Sequence, residues 1–354
     1  MDKPIVKVCA SLLVLTSLSW LWLRRANSNT QKKPDFLVRC TKLSLDLPQG
    51  CMDYWGPFMH ESFPPRSKFS VEDIPDLSGK VMLVTGGNRG VGFEIVKALL
   101  NHNARVYMAS RSADAATKAI AELKDITGRE AIFVKLDLSS QTSVQTAANE
   151  FLSKEERLHV LFNNAGVMDP PLAMVSAEGY DYTFATNVMG PYLLTTTLLP
   201  ALLAGATSSE DGKARVVTLA SVMHRLRPTI DFDSLVDGPA RVELGETALY
   251  AQSKNADIVL SKEIARRYGD RGIVSTAVNP GILNTHLMRH LDPITKMILK
   301  PALWKASYGS VCLSGKYLIP WARVGDAQAS TQDENTGKFL WAWLENHTRA
   351  APEK

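Results

Sequence analysis

VMLVTGGNRGVGFEIVKALL, residues 81–100, joins a β-branched run, a glycine-rich turn and an amphipathic segment. The run VMLVT has the composition of a buried strand, and the apolar residues after the turn recur with the spacing of one helix face. A strand, a glycine turn and a helix start in this order bring backbone N–H groups and the positive end of a helix dipole together. We therefore predict a βα unit that binds the pyrophosphate of a dinucleotide.

Further β-branched runs follow this unit, each separated from the next by a candidate helix. They are RVYMA (105–109), AIFVKL (131–136), HVLF (159–162), RVVTLA (215–220) and IVSTAV (273–278), with KYLIP (316–320) as an edge strand and KFLWAWLE (338–345) as a closing helix. Such alternation is typical of βαβ units. We expect an α/β fold, a Rossmann-type doubly wound parallel sheet of about seven strands with helices on both faces, preceded by an N-terminal apolar helix.

The composition of the 354-residue chain, with 45% hydrophobic and 21% charged residues, fits one large α/β domain with extensions. The formal net charge of +4 is spread along the chain without a block of like charges, which gives no support to nucleic-acid binding. Cys9, Cys40, Cys51 and Cys312 are scattered and form no zinc pattern with histidines. We interpret them as reduced thiols and expect no metal site.

The first 25 residues differ in kind from the rest of the chain. No charged residue occurs in VCASLLVLTSLSWLWL (residues 8–23), and Arg24 and Arg25 close the run. The run is slightly shorter than the about 20 residues that cross a bilayer, but counting from Ile5 with a snorkelling Lys7 brings it close. We favour a retained membrane anchor over residues 5–23, and a cleaved signal peptide is the alternative.

The charges around this run indicate its orientation. Positive residues are denser after it than before it, which places the rest of the chain on the cytosolic side of a membrane, for which we expect the endoplasmic reticulum. The N-glycosylation sequon Asn346-His347-Thr348 supplies a check, because a glycan on Asn346 would mean a lumenal domain.

These patterns divide the chain into an anchor (1–25), a linker or N-terminal extension (26–78), a catalytic domain (79–346) and a tail (347–354). Residues 26–78 are polar, punctuated by proline and without a sustained period. We therefore predict a linker that lies on the surface of the domain.

The pair Tyr250 and Lys254 in YAQSK can supply acid–base chemistry. Hydride transfer to a carbonyl carbon needs a proton donor for the oxygen, and the reverse reaction needs a base. At positions i and i+4 of a helix the two side chains share a face, so the ammonium stabilises the phenolate and lowers a tyrosine pKa that is ordinarily about 10. YxxxK alone is a string of low specificity, because it also occurs as an exposed helix pair.

The spacing T-G-x-x-x-G-x-G at residues 85–92 resembles the short-chain dehydrogenase/reductase family, and other family motifs follow it in order. The resemblance covers roughly residues 79–346 and is strongest to the retinol-dehydrogenase-like and fungal short-chain dehydrogenase group. It implies that Ser221 hydrogen-bonds the substrate oxygen and that Asn187 anchors a water in the proton relay to Lys254. The cofactor-binding residues that it implies are Thr85, Gly86, Asn88, Arg89, Gly90, Val91, Gly92, Arg111, Asp137, Leu138, Asn164, Ala165, Gly166, Tyr250, Lys254, Pro280, Gly281 and Thr285.

The end of the second predicted strand distinguishes between two cofactors. An enzyme that binds NAD usually offers an acid there to the ribose 2′-hydroxyl, and one that binds NADP offers a cation to the 2′-phosphate. This sequence reads MASR (108–111), without an acid. Arg111 and Arg89 match basic positions of NADP-preferring relatives, and a guanidinium engages phosphate oxygens in a bidentate way. We predict NADP(H) as the cofactor.

Together these features predict an NADP(H)-dependent oxidoreductase that interconverts a lipophilic alcohol and its ketone or aldehyde, in retinoid, steroid or secondary metabolism. We expect residues 223–249 and 284–304 to form a flap over the substrate, with His224 interpreted as a loop histidine. Apolar residues between 282 and 298 favour a lipophilic substrate, although core packing explains them equally well.

Two alternatives from other classes stay open. A protein can keep the fold of an enzyme family without its catalytic activity, so the chain could be a catalytically silent dinucleotide-binding scaffold. It could also be a membrane-tethering protein whose N-terminal segment is its main function. The oligomeric state is open as well, with a homodimer as one option because many members of the family dimerise.

Overall fold

The structure is a computed structural model and describes residues 52–65, 67, 69–281, 314–320 and 323–348. The strands are β1 Val81–Thr85, β2 Arg105–Ser110, β3 Ile132–Lys135, β4 Val160–Asn163, β5 Ala214–Leu219, β6 Ile273–Val278, β7 Tyr317–Ile319 and β8 Arg323–Val324. The helices are α1 Met52–Ser62, α2 Gly90–Asn101, α3 Ala113–Thr127, α4 Gln141–Leu152, α5 Tyr182–Phe184, α6 Gly190–Thr197, α7 Leu199–Thr207, α8 Pro239–Tyr268 and α9 Glu334–His347. The predicted anchor, the four cysteines, Thr285 and the segment 284–304 lie outside the described residues.

The described strands form one eight-stranded sheet in the order β3-β2-β1-β4-β5-β6-β7-β8. Neighbouring strands from β3 to β7 run parallel, whereas β8 is antiparallel to β7. The prediction of a Rossmann-type parallel sheet with helices on both faces is confirmed. About seven strands were predicted, and the sheet has an eighth, β8. β8 consists of Arg323 and Val324, and two residues are too few to leave a periodic pattern in a sequence.

Helices cover both faces of the sheet. Successive side chains of a strand point to opposite faces, so a strand that is apolar throughout needs helices on both sides to bury it. Val81 and Leu83 of β1 pack on the side of α4, α6, α7 and α8. Met82 and Val84 pack on the side of α2 and α3. Every residue of β1 is buried, which explains why this strand is a continuous apolar run and not an alternating one.

The strand order reverses beside β1, since β2 and β3 lie on one side of it and β4 to β7 lie on the other. The loops at the carboxyl ends of neighbouring parallel strands diverge at such a point and leave a crevice. The turns after β1, β4, β5 and β6 therefore meet at one edge of the sheet.

The N-terminal extension contains a helix that the sequence pattern did not predict. α1 lies within the predicted linker 26–78, and its last residues, Glu61 and Ser62, are 3% and 1% exposed. Residues 52–62 of the predicted linker or N-terminal extension are therefore helical, and the helix ends in buried residues. Pro57 lies inside this helix and is a residue that normally argues against one.

The closing helix is longer than predicted. α9 runs from Glu334 to His347, and Leu340 and Leu344 are fully buried in the core on the α8 side of the sheet. Thr348 is 4% exposed, and its hydroxyl donates to the Leu344 carbonyl at 2.7 Å. The domain therefore continues past the predicted boundary at residue 346.

Within the described ranges, no single helix is long and apolar enough to cross a membrane. The bent pair Tyr182–Thr197 and Leu199–Thr207, at an angle of 57°, passes by length and composition alone. The predicted anchor at residues 5–23 lies outside those ranges and stays a prediction.

Gly205 allows α7 to approach the segment that precedes β4. A Cβ atom at this position would lie 2.1 Å from the Leu158 carbonyl oxygen. We expect Gly205→Ala to lower the free energy of unfolding by about 1–3 kcal/mol, because the helix must shift and loses its packing. Gly269→Ala is the matched control, since its φ is −58° and no atom lies within 4 Å of its Cβ position. Equal urea-unfolding free energies for the two variants would contradict this packing.

Candidate active site

The glycine-rich turn between β1 and α2 forms a cradle of backbone atoms. Gly86 has a φ of +67°, and a Cβ atom on Gly92 would lie 2.3 Å from the Gly86 carbonyl oxygen. Among the described residues, no side chain caps the N-terminus of α2. Its N–H groups and the positive end of its dipole can therefore face a phosphate, so the turn fits the pyrophosphate of a dinucleotide.

Thr85, at the end of β1, connects this turn to the loop after β4 by hydrogen bonds. Its hydroxyl accepts hydrogen bonds from the backbone N–H groups of Asn164 at 3.0 Å and Ala165 at 2.9 Å. The Asn164 side chain donates in return to the Thr85 carbonyl at 2.7 Å. Residues from two separate sequence motifs thus form one unit at the sheet edge.

The loop after β3 borders the same edge. Asp137 Oδ1 accepts hydrogen bonds from the N–H and the hydroxyl of Ser139 at 2.9 and 2.7 Å, which closes a tight turn. A Cβ atom on Gly190 would lie 2.3 Å from the Leu138 carbonyl oxygen. The absence of a side chain at Gly190 therefore lets this loop dock against the start of α6.

Two arginines border the crevice from the loops after β1 and β2. Arg111 Nη1 donates to the Tyr182 hydroxyl at 2.6 Å, and the residue as a whole is exposed. Arg89, directly before α2, is also exposed. Both residues are exposed at the edge where the sequence predicts the 2′-phosphate.

Asn187 lies in a π-helical turn, Ala185–Met189, between α5 and α6. Its side-chain oxygen accepts from the Val167 N–H at 2.9 Å, and its amide donates to the Val167 carbonyl at 3.1 Å and the Ser253 hydroxyl at 3.0 Å. Such turns are rare and occur frequently at functional sites. Asn187 ties the loop after β4 to α8, and its contact with a relay water stays a prediction.

The catalytic candidates meet beneath the carboxyl end of β5. A break in α8 at Gly245, with φ 76° and ψ 163°, precedes the turn that carries Tyr250. Tyr250 is 3% exposed, and its phenol is hydrogen-bonded to Ser221, the N-cap of the 3₁₀ helix after β5. Lys254 Nζ lies 5.8 Å from the centre of the Tyr250 ring and donates to the Leu219 carbonyl at 2.7 Å. The structure thus brings Ser221, Tyr250 and Lys254 together.

Opposing effects set the protonation of Tyr250. Burial raises the pKa of its phenol above 10.0, whereas the Lys254 ammonium and the Ser221 hydrogen bond lower it. The charges of Asp257 and Asp169 raise this pKa further. The phenol therefore carries its proton at neutral pH, which suits a group that protonates a carbonyl oxygen.

Asp257 is a site residue that the sequence analysis missed. Its Oδ2 lies 2.7 Å from Lys254 Nζ, and both side chains are buried. Burial lowers the pKa of Lys254, but the Asp257 carboxylate and Tyr250 raise it above its ordinary value, so the ammonium stays charged. Burial raises the pKa of Asp257 to about 6, against the lowering effect of Lys254. The signal for this contact was the i,i+3 spacing of an acid and a base on one helix.

Asp169, in the loop after β4, is a second missed residue. It is 8% exposed, and its Oδ2 accepts a hydrogen bond from the Thr247 hydroxyl at 3.1 Å. Thr247 precedes Tyr250 by three positions, so both side chains lie on one face of α8. The φ of Asp169 is +46°, a left-handed conformation that aspartate adopts more readily than most residues. Asp169 therefore places a carboxylate beside the catalytic candidates.

The first part of the predicted flap at residues 223–249 is hydrogen-bonded to α8. Gln252 Nε2 donates to the Ser234 hydroxyl at 2.8 Å, and Asn255 Nδ2 donates to the Arg227 carbonyl at 3.0 Å. Leu226 and Leu235 in this segment are buried in the domain. Residues 239–249 of this segment form the start of α8 itself, residues 223–238 pack against that helix, and the other part of the predicted flap, 284–304, lies outside the described residues.

The loop after β6 completes this edge. The Asn279 side-chain oxygen accepts a hydrogen bond from the Gly281 N–H at 3.1 Å, and Gly281 has a φ of +81°. Pro280 lies between them, and Thr285 is outside the described residues. Within the part of the chain that the structure describes, no group of three or more His, Cys, Asp or Glu side chains could hold a metal ion.

Sequence comparison gives the relationships of the chain. The family model described as short chain dehydrogenase matches residues 80–229. A short-chain dehydrogenase/reductase of Armillaria gallica is 49% identical over 297 residues, which cover 80% of this chain and 95% of the relative.

Solved structures share the fold. An uncharacterized protein of Mycobacterium paratuberculosis has a TM-score of 0.61 at 24% identity, covering 81% of this chain and 99% of its own. The RhlG/NADP active-site complex of Pseudomonas aeruginosa has a TM-score of 0.54 at 26% identity, covering 69% of this chain and 95% of its own.

His224, interpreted from the sequence as a loop histidine, lies in the 3₁₀ helix Val222–Leu226 of the connection after β5 and is buried there. It is fully buried, its Nδ1 donates to the Ser221 carbonyl at 2.7 Å, and its Nε2 accepts from the Gln328 N–H at 3.2 Å. Burial, together with the Arg225 charge, lowers the pKa of His224 from 6.5 to about 3.

This histidine makes the stability of the protein depend on pH. The unfolded chain takes up a proton as the pH falls through 6.5, whereas the folded chain does so only near about 3, so stability is lost between these values. We expect His224→Gln, which removes the titration, to reduce the slope of unfolding free energy against pH in this range. His102→Gln, at a partly exposed position, is the control. Identical slopes for wild type and His224→Gln in urea unfolding would rule out this effect.

Proposed function

The chain belongs to the short-chain dehydrogenase/reductase family, and on that premise we propose that it is an NADP(H)-dependent oxidoreductase that interconverts a lipophilic alcohol and its ketone or aldehyde. The observation that carries this proposal is the cluster of Ser221, Tyr250 and Lys254 at the carboxyl edge of the sheet. A buried phenol that is bonded to a hydroxyl and lies beside an ammonium can transfer a proton to or from a substrate oxygen.

In the proposed reduction, Tyr250 donates its phenolic proton to the carbonyl oxygen while Ser221 hydrogen-bonds the same oxygen. The Lys254 ammonium stabilises the phenolate that remains, and Asp257 keeps that ammonium charged. In the oxidation, the same steps run in reverse. A bound nicotinamide supplies or accepts the hydride.

The cofactor is proposed to lie along the crevice from the loop after β3 to the loop after β6. Residues 86–92 would hold the pyrophosphate, and Pro280 and Gly281 would hold the nicotinamide. Arg111 and Arg89 would bind the 2′-phosphate, and the hydrogen bond that Arg111 donates to the Tyr182 hydroxyl restrains its guanidinium group. The Pseudomonas structure, described as a complex with NADP, supports this choice.

For the substrate we propose an alcohol or carbonyl compound of retinoid, steroid or secondary metabolism. The apolar run at residues 8–23 supports a lipophilic compound, since an enzyme anchored in the endoplasmic reticulum membrane meets molecules dissolved in that membrane. Asp169 and Thr247 beside Tyr250 would add a polar contact for a hydroxyl group of the substrate. The proposed orientation leaves the catalytic domain in the cytosol, and a glycan on Asn346 of the natural protein would contradict it.

Tyr250→Phe tests the assignment of the acid–base group. We expect turnover to fall by about 10²- to 10⁴-fold, because the proton donor is lost, while NADPH binding is retained. NADPH consumption with a panel of apolar aldehydes and ketones measures the first, and fluorescence titration measures the second. Tyr268→Phe, at the far end of α8, is the control. Wild-type turnover in Tyr250→Phe would make the assignment wrong, and NADPH binding without any turnover in the wild type would favour the silent-scaffold alternative.

Arg111→Asp tests the site of the 2′-phosphate. The substitution removes a cation and offers a carboxylate to the ribose hydroxyls, so the ratio of NADPH to NADH affinity should fall by about tenfold or more. Arg129→Asp, an exposed arginine after α3, is the control and should leave this ratio unchanged. An unaltered ratio in Arg111→Asp would remove Arg111 from the phosphate site.

A further inference from the structure

A buried carboxylate from the N-terminal extension contacts the loop after β6. Glu61 lies at the end of α1, upstream of the family match at residues 80–229, and is 3% exposed. Its Oε2 accepts hydrogen bonds from the Asn279 side-chain amide and from the Tyr317 hydroxyl, the latter at 3.0 Å. Its Oε1 lies 3.6 Å from Arg225 Nη2. Three segments that are far apart in the chain therefore meet at one carboxyl group.

Burial and the partners of Glu61 have opposite effects on its carboxyl group, and this indicates more than simple packing of α1 on the domain. Burial raises the pKa of Glu61, and the Asn279 hydrogen bond, the Arg225 charge and the Tyr317 hydrogen bond lower it. A buried carboxylate is unfavourable unless such partners compensate its lost hydration. A helix that served only to cover the domain could bury an apolar side chain here without that cost.

The carboxylate sets the orientation of the Asn279 amide. Because the amide nitrogen donates to Glu61, the amide oxygen points to the other side, where it accepts the Gly281 N–H at 3.1 Å. The backbone of Gly281 is also confined, since a Cβ atom there would lie 3.0 Å from Pro320 Cγ and 3.7 Å from the Glu61 carbonyl oxygen. Residues 279–281, the described start of the loop after β6, are thus held between α1 and Pro320, which follows β7.

Glu61 reaches the loop after β5 as well. Arg225 belongs to the 3₁₀ helix Val222–Leu226, which follows Ser221 directly and is capped by the Ser221 side chain. Through Arg225 and Asn279, one carboxylate connects the loop that carries Ser221 to the loop that carries Gly281.

We propose that Glu61 is a positioning residue: through Asn279 it holds the loop after β6 in the conformation that receives the nicotinamide end of the cofactor. The N-terminal extension then completes the site. The inference rests on the proposed function, in which Pro280 and Gly281 contact the nicotinamide. It differs from a purely structural role, because a helix that only stabilised the domain would affect both ends of the cofactor equally or neither end.

Binding of two ligands to the full-length protein separates these roles. NADP⁺ reaches the loop after β6, whereas 2′,5′-ADP lacks the nicotinamide and contacts only the adenosine end of the crevice. We expect Glu61→Ala to weaken NADP⁺ binding by about tenfold in isothermal titration and to leave 2′,5′-ADP binding unchanged. Glu61→Gln, which keeps an acceptor for Asn279, should recover most of the lost affinity.

Glu263→Ala is the matched control. The Glu263 side chain is also 3% exposed and pairs with two arginines, Arg266 and Arg267, on α8. It lies against α9 at Gly337, so its loss removes a buried carboxylate without touching the loop after β6. We expect a lower melting temperature in Glu263→Ala with the same ratio of NADP⁺ to 2′,5′-ADP affinity as in the wild type.

The outcomes distinguish the inference from the function on which it rests. A wild-type ratio of the two affinities in Glu61→Ala, or an equal weakening of both ligands, would overturn the inference and leave the proposed function standing. A wild-type protein that bound neither NADP⁺ nor NADPH would overturn the proposed function and the inference together. Selective loss of NADP⁺ affinity in Glu61→Ala, with recovery in Glu61→Gln, would establish the positioning role.

Discussion

The Lys254 ammonium is buried beneath the end of β5 at 6% exposure, where an isolated charge would be unfavourable by several kcal/mol. The Leu219 carbonyl and the Asp257 carboxylate compensate for this loss of hydration, each at 2.7 Å. The surrounding structure depends on that arrangement. Since the ammonium needs the end of β5 on one side and the next turn of α8 on the other, the helix is placed against the sheet edge, and Tyr250 is placed beside Ser221.

The sheet edge gathers the remaining parts of the site, because the parallel strands all present their carboxyl ends there. Thr85 and Asn164 join the turns after β1 and β4 by hydrogen bonds, and Asn187 joins the loop after β4 to α8. Hydrogen bonds between strand ends and helices therefore hold the catalytic and phosphate-binding candidates in place. A reaction that needs accurate placement of a hydride donor and a proton donor benefits from such preorganisation.

The N-terminal extension adds to this frame a contact from outside the family match. Glu61 lies in the last turn of α1. Its carboxylate contacts Asn279, Tyr317 and Arg225, next to the loops after β5 and β6. The helix α1 is thus joined to the edge of the sheet where the parallel strands have their carboxyl ends.

The sequence by itself determined the local units of this protein. β1 and β6 were predicted with their observed bounds, and the shared helix of Tyr250 and Lys254 followed from their spacing, because strand and helix periods are properties of neighbouring residues. Only the tertiary structure decided the strand β8, the docking of α1 and the hydrogen-bond partners of Asp169 and Glu61. Asp169 is 78 positions from Thr247, and Glu61 is 218 positions from Asn279. No periodicity links residues so far apart, and a carboxylate acquires its partners only when folding removes it from water and brings the distant donors to it.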